Sequence, residues 1–96
     1  MLFRSRDPAE VPGRFYLRLN VEDRPGVMAE IAGILGRHEI SIASVIQHEI
    51  EEDTGGVVPL VIMTHTAPEG AVTSAMEAID RLPAVHPGSI RMRVGD

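Results

Sequence analysis

His38, His48, His65 and His86 are the side chains best suited to metal ligation or proton transfer, but they fall in different predicted elements. None has a second histidine two or four residues away, so their spacing builds no His-His metal pair. Ser41 and Ser44 lack a flanking nucleophile-elbow pattern, and His65, beside Thr64 at a strand end, reads as structural or solvated. Glu49, Glu51, Glu52 and Asp53 form a solvated charge run in a predicted hairpin. There is no cysteine, so disulfides, thiolate zinc sites and cysteine nucleophiles are excluded. Neither a phosphate loop nor a dinucleotide fingerprint occurs. The expectation is a chain with no catalytic centre, no metal and no cofactor of its own.

Binding chemistry is better served by the stretch Asn20-Val21-Glu22-Asp23-Arg24-Pro25-Gly26-Val27-Met28. Residues ahead of it alternate apolar and polar, the period of a half-buried strand. After it, Val27, Met28, Ile31, Ile34 and Leu35 recur on one helical face. Glu22 to Gly26 is therefore a tight strand-to-helix turn. Asp23 is expected to cap the first helical turn, Pro25 to sit within that turn, and Gly26 to leave the approach open. Free backbone N–H groups and a positive dipole end suit a small anionic group such as a carboxylate.

The remaining elements must hold that turn in place. Residues 1–13, with Pro8, Pro12 and Gly13, read as a linker or tail, leaving 14–96 as one domain. A first strand, from about Phe15 to Val21, puts Phe15, Leu17, Leu19 and Val21 inward and Tyr16, Arg18 and Asn20 on the other face. A helix follows from about Pro25 to His38. Its Gly33 and Gly36 flank the in-phase Ile34 and Leu35, which points to close backbone packing and not to an RNA-clamping loop. Ser41 to Ile50 is a β-branched strand with Ile40, Ile42, Ile46 and Ile50 in one parity and Ala43 and Val45 in the other; it is either central or covered. After the charged loop ending in Gly55-Gly56, Val57 to Thr64 is a third strand, apolar enough to be buried on both sides. Pro59 belongs near its start or at a bulge. Thr66-Ala67-Pro68-Glu69 fits a capping box opening a helix with Val72, Ala75, Met76, Ile79 and Leu82 on one stripe, stopped before Pro83. A last strand, Ile90 to Val94, is polar on one side and so expected at an edge.

That order, βαββαβ, predicts an α+β, ferredoxin-like fold: a four-stranded antiparallel sheet with two helices on one face. The other face, with Ala43, Val45 and third-strand residues, would be bare, which points to a partner chain. A net charge of −5 with nine basic residues and three aromatics argues against a nucleic-acid surface. No apolar run reaches membrane-spanning length and the first residues are no signal peptide, so the expected compartment is the cytoplasm.

The segment Leu19 to Ile31, with its Asp-Arg-Pro-Gly-Val turn, followed by Ile40-Ser41-Ile42, resembles the signature of ACT domains. Arg14 to Leu19, Ile40 to Gln47, Val58-Pro59-Leu60-Val61 and Met63-Thr64-His65 extend the likeness to the C-terminal regulatory domain of bacterial homoserine dehydrogenases, over roughly residues 14 to 94. The resemblance implies a βαββαβ module that binds an amino acid at the interface of two domains. Carried over by position, the ligand residues are Asn20, Val21, Glu22, Asp23, Gly26, Val27 and Met28 of the turn, Ser41 and Ile42 of the second strand, and Gln47 on a strand facing a partner. Other ACT families often have asparagine where Ser41 stands. The resemblance further implies feedback inhibition by L-threonine, homodimerisation, and a parent enzyme using NAD(P) in parts that this chain lacks, whether it is an excised fragment or free-standing. Two other readings are an ACT-like assembly module without ligand, and the regulatory subunit of another biosynthetic enzyme such as acetolactate synthase.

Overall fold

The computed structural model describes residues 11–47 and 56–95. In chain order the elements are β1 (Pro12–Glu22), α1 (Val27–Arg37), β2 (Ile42–Gln47), β3 (Val57–Thr64), β4 (Ala67–Pro68), α2 (Glu69–Asp80) and β5 (Val85–Gly95). β1 is central, paired antiparallel with β3 on one edge and β5 on the other, and β2 lies outside β3. The ferredoxin-like arrangement is as expected, except that the two-residue β4 makes five strands instead of four. It pairs with Pro12 and Gly13, so β1 starts within the segment read as a tail.

One face of the sheet packs on the helices. Phe15, Leu17, Leu19 and Val21 of β1 and Val58, Leu60 and Ile62 of β3 are buried against Val27, Ile31, Ile34 and Leu35 of α1 and Val72, Ala75, Met76 and Ile79 of α2. Each buried aliphatic side chain contributes about 1.5–3 kcal/mol, so this double layer is what holds the domain together. The buried Thr64 belongs to the same layer: its Oγ1 accepts from the Phe15 amide at 3.1 Å, so burial leaves no polar atom unpaired.

Several local expectations give way. α1 is capped by Gly26 and carries no side-chain cap, because Gly26 takes φ 91° and ψ −18°, and Asp23 is turned elsewhere. Pro25 precedes the helix: Pro25-Gly26 are the two central residues of a turn in which the Val27 amide donates to the Arg24 carbonyl at 3.4 Å. The glycine's positive φ fits type II. Thr66 likewise caps nothing. Pro68 is the N-cap of α2, and the Glu69 amide donates to the Val11 carbonyl, so the N-terminal end of β1 replaces the capping box. Gly33 and Gly36 are both exposed, and a Cβ at either would meet nothing closer than Arg37 Nη1 at 3.8 Å, so the expected close packing is absent.

β2 is an edge strand, not a central one. A register shift between Ile42 and Ser44 leaves Ala43 as a one-residue bulge, which moves every later side chain to the opposite face. Val45 pairs with Ile62 on the helix side, and Ile46 with Val61 on the open side. The open face therefore carries Ile46, Ile90, Met92 and Val94, all about half exposed, instead of Ala43 and Val45. On β3 it carries the half-buried Val57, Pro59, Val61 and Met63, so that strand is sealed on one side only. Pro59 is its third residue, opposite Asn20 with no irregularity in that ladder. β5 is an edge strand as expected, and its arginines lie on the helix side: Arg91 donates to Thr73 Oγ1, and Arg93 reaches Glu69 and lies over the Phe15 ring. His48, the acidic run from Glu49 to Asp53 and the rest of that loop fall outside the described residues.

Candidate functional site

The turn between β1 and α1 walls a concavity of about 450 Å³, a volume within the range of small-molecule sites. Its lining is Val21, Glu22, Asp23, Arg24, Pro25, Gly26, Val27 and Met28 from the turn, with Gln47 and Leu60 from β2 and β3. The type II turn is what opens it. Because Gly26 departs from helical geometry, the chain enters α1 abruptly and the first helical amides face outward. The Glu30 amide bonds the Gly26 carbonyl at 3.0 Å, whereas the amides of Gly26, Met28 and Ala29 have no acceptor among the described residues. A Cβ on Gly26 would meet nothing within 4 Å, so glycine stands there for its φ and not for space.

Polar side chains ring the concavity. Gln47 Nε2 donates to Asp23 Oδ1 at 3.3 Å, tying edge strand to turn. Arg24 Nε donates to Glu22 Oε1 at 2.9 Å, and His86 Nε2 lies 3.2 Å from Glu22 Oε2. The Arg24 guanidinium, and after it His86, hold the Glu22 carboxyl below its ordinary range. The Asp23 amide is fixed to the Gly56 carbonyl at 2.8 Å, so the start of β3 also holds the turn.

Of the residues expected at the site, Val21, Glu22, Asp23, Gly26, Val27, Met28 and Gln47 line this one concavity. Gln47 reaches it because the Ala43 bulge turns it to the helix side, toward its own chain's turn. Asn20 points to the other face, where its Nδ2 donates to the Pro87 carbonyl at 3.3 Å. Ile42 opens β2 with Ser41 just ahead of it, roughly 16 to 20 Å of chain away from Gln47 at about 3.3 Å per residue. There the Ser41 carbonyl accepts from the His65 amide. Arg24, Pro25 and Leu60 also line the concavity, beyond the residues expected as ligand contacts. Arg24 was legible as the only cation inside the turn motif. Leu60 was not, since only the β2–β3–β1 order brings it there. Among the described residues no group of three histidine or acidic side chains is placed to hold a metal ion.

Comparison with known proteins bears on this geometry. A model of the ACT domain family matches residues 15–83. A homoserine dehydrogenase of Pseudomonas aeruginosa is 39% identical over 80 residues, which is 83% of this chain and 18% of that protein. The crystal structure of a homoserine dehydrogenase from Thiobacillus denitrificans superposes with a TM-score of 0.80 at 35% identity, covering 93% of this chain and 19% of that one. The chain thus spans about a fifth of these relatives' length. An acetolactate synthase small subunit from Thermotoga maritima shares the fold, with a TM-score of 0.63 at 22% identity over 83% of this chain and 46% of that one.

Proposed function

The chain belongs to the ACT domain family, and on that premise we propose that it is an amino-acid-binding regulatory domain of the homoserine dehydrogenase type, responding to L-threonine. The observation that carries the reading is the convergence of outward amides and the Asp23–Gln47 pair on one concavity. A zwitterionic amino acid needs donors for its carboxylate, an acceptor for its ammonium and, for threonine, one polar partner for the hydroxyl. The amides of Gly26 and Met28 at the positive end of α1 serve the first need. Asp23 serves the second and Gln47 the third. Ser41 enters only from a second copy, which accords with binding between two domains. A site that pairs the hydroxyl disfavours valine, because valine leaves the Gln47 contact unmade.

In this reading the domain works as a homodimer in the cytoplasm. Occupancy across the dimer changes how the domains pair, and the rest of a homoserine dehydrogenase senses that change. Hydride chemistry and the NAD(P) cofactor belong to parts of such an enzyme beyond this domain. Calorimetric titration tests the proposal: L-threonine should give saturable heat and raise the melting temperature, and L-valine should do so more weakly. Equal responses would remove threonine as the ligand.

The half-exposed row of Ile46, Ile90, Met92 and Val94 favours a second reading, an assembly module that pairs subunits and binds nothing. It predicts a dimer in sedimentation with no heat from any amino acid.

A further inference from the structure

Arg24 is the feature of the concavity that backbone chemistry leaves unused. Its guanidinium carries five N–H groups in a planar fork, of which only the one on Nε is engaged, at 2.9 Å from Glu22 Oε1. The terminal nitrogens Nη1 and Nη2 have no acceptor among the described residues, and the side chain is half exposed at the rim. Glu22 is differently placed. Both of its oxygens are occupied, one by Arg24 and the other by His86 of β5, so two elements hold the carboxylate. A carboxylate held between two such neighbours is a poor acceptor for a ligand's ammonium. Asp23, whose Oδ2 has no partner among the described residues, is the better one.

We propose, resting on the amino-acid-binding reading above, that Arg24 takes the ligand's carboxylate and that Glu22 is its positioning residue and not a ligand contact. Glu22 and Asp23 both line the concavity, so the ligand's carboxylate end meets two like charges there, which a cation in the same wall offsets. Arg24 lines the same concavity as Met28, and a fork of Nη1 and Nη2 matches the two oxygens of a carboxylate, a geometry a lysine could not reproduce. Anchoring at Nε sets the plane of the fork while leaving both outer nitrogens for the ligand. His86, bracing the far oxygen of Glu22, keeps the anchor from swinging away.

An exposed ion pair adds little to folding, so the effect should appear in binding and not in stability. The probes are L-threonine, L-valine, L-isoleucine and L-methionine, each with its carboxamide, titrated by calorimetry into the 96-residue chain. Arg24→Gln should weaken the best-bound amino acid by about tenfold, the loss of one charge-assisted contact, and leave its carboxamide unaffected. Arg24→Lys should fall between. Glu22→Gln should weaken the amino acid in the same direction, and add nothing when introduced into Arg24→Gln, because it acts through Arg24. Unliganded melting temperatures verify that the variants fold. If Arg24→Gln binds the amino acid as the unmodified chain does, or Glu22→Gln weakens it further in that background, the assignment is wrong. If an amino acid other than threonine binds best, threonine falls as the ligand and Arg24 is judged on that compound. If none of the four binds, the amino-acid-binding reading fails and the assignment fails with it.

Discussion

Three side chains at the turn show how much a single residue decides. Gly26 sets the direction of α1 through one positive φ, which a residue with a Cβ adopts only at a cost of about 1–2 kcal/mol. Thr64 looks like an ordinary strand threonine, yet its hydroxyl is the partner of the buried Phe15 amide. Thr64→Val preserves shape and removes that acceptor, so chemical denaturation should report a loss of about 1–3 kcal/mol. An unchanged midpoint would mean that the Phe15 amide finds another partner. The Glu22 carboxyl is held below its ordinary range, first by Arg24 and then by His86. A carboxyl lowered on folding contributes stability that is fully present above its unfolded value, near 4.5, and is lost as pH falls through the folded one. Glu22→Gln should therefore lower the melting temperature at pH ~7 slightly and converge with the unmodified chain at pH ~3. A gap that stays constant across that range would count against the ion pair in solution.

At the scale of elements, α1 and β2 depart most from simple patterning. α1 buries Val27, Ile31, Ile34 and Leu35 and leaves Gly33 and Gly36 on its outer surface. Neither glycine has positive φ, and neither faces an atom that a methyl group would strike. Gly36→Ala, and Gly33→Ala beside it, should each stabilise the chain by up to about 1 kcal/mol, measured as a rise in the denaturation midpoint. Loss of stability would mean that the outer face of α1 is covered in solution. In β2 one extra residue at Ala43 exchanges the two faces of the strand. It removes Gln47 from the open face and delivers it to Asp23, so a backbone irregularity places a side chain in the concavity.

For the molecule as a whole, the open face of the sheet is the feature to test. Ile46, Ile90, Met92 and Val94 stand about half exposed on one side of a sheet whose other side packs on the two helices. The rows Ile46–Val61–Arg18–Ile90 and Ser44–Met63–Tyr16–Met92 run across all four long strands. If copies pair through this surface, Met92→Lys combined with Ile46→Lys should shift sedimentation toward the monomer without lowering the melting temperature of the monomer itself. A dimer that survives both substitutions pairs elsewhere, the free edge of β2 being the next surface to examine.

The βαββαβ order, the inward set of β1, the buried stripes of α1 and α2 and the position of the turn between β1 and α1 were all legible in the sequence. They follow from apolar periodicity and from Asp-Arg-Pro-Gly-Val, which act over a few residues. What tertiary structure decided depends on contacts between distant segments. The N-caps moved from Asp23 to Gly26 and from Thr66 to Pro68, because a type II turn and a pairing with Pro12–Gly13 supply what side-chain caps would have supplied. The faces of β2 were decided by its register against β3, which a one-residue bulge resets. Arg24 and Leu60 join the concavity, and Asn20, Ser41 and Ile42 stand away from it in one chain. Alternation along a strand says which residues share a face, but only the neighbouring strand determines which face that is.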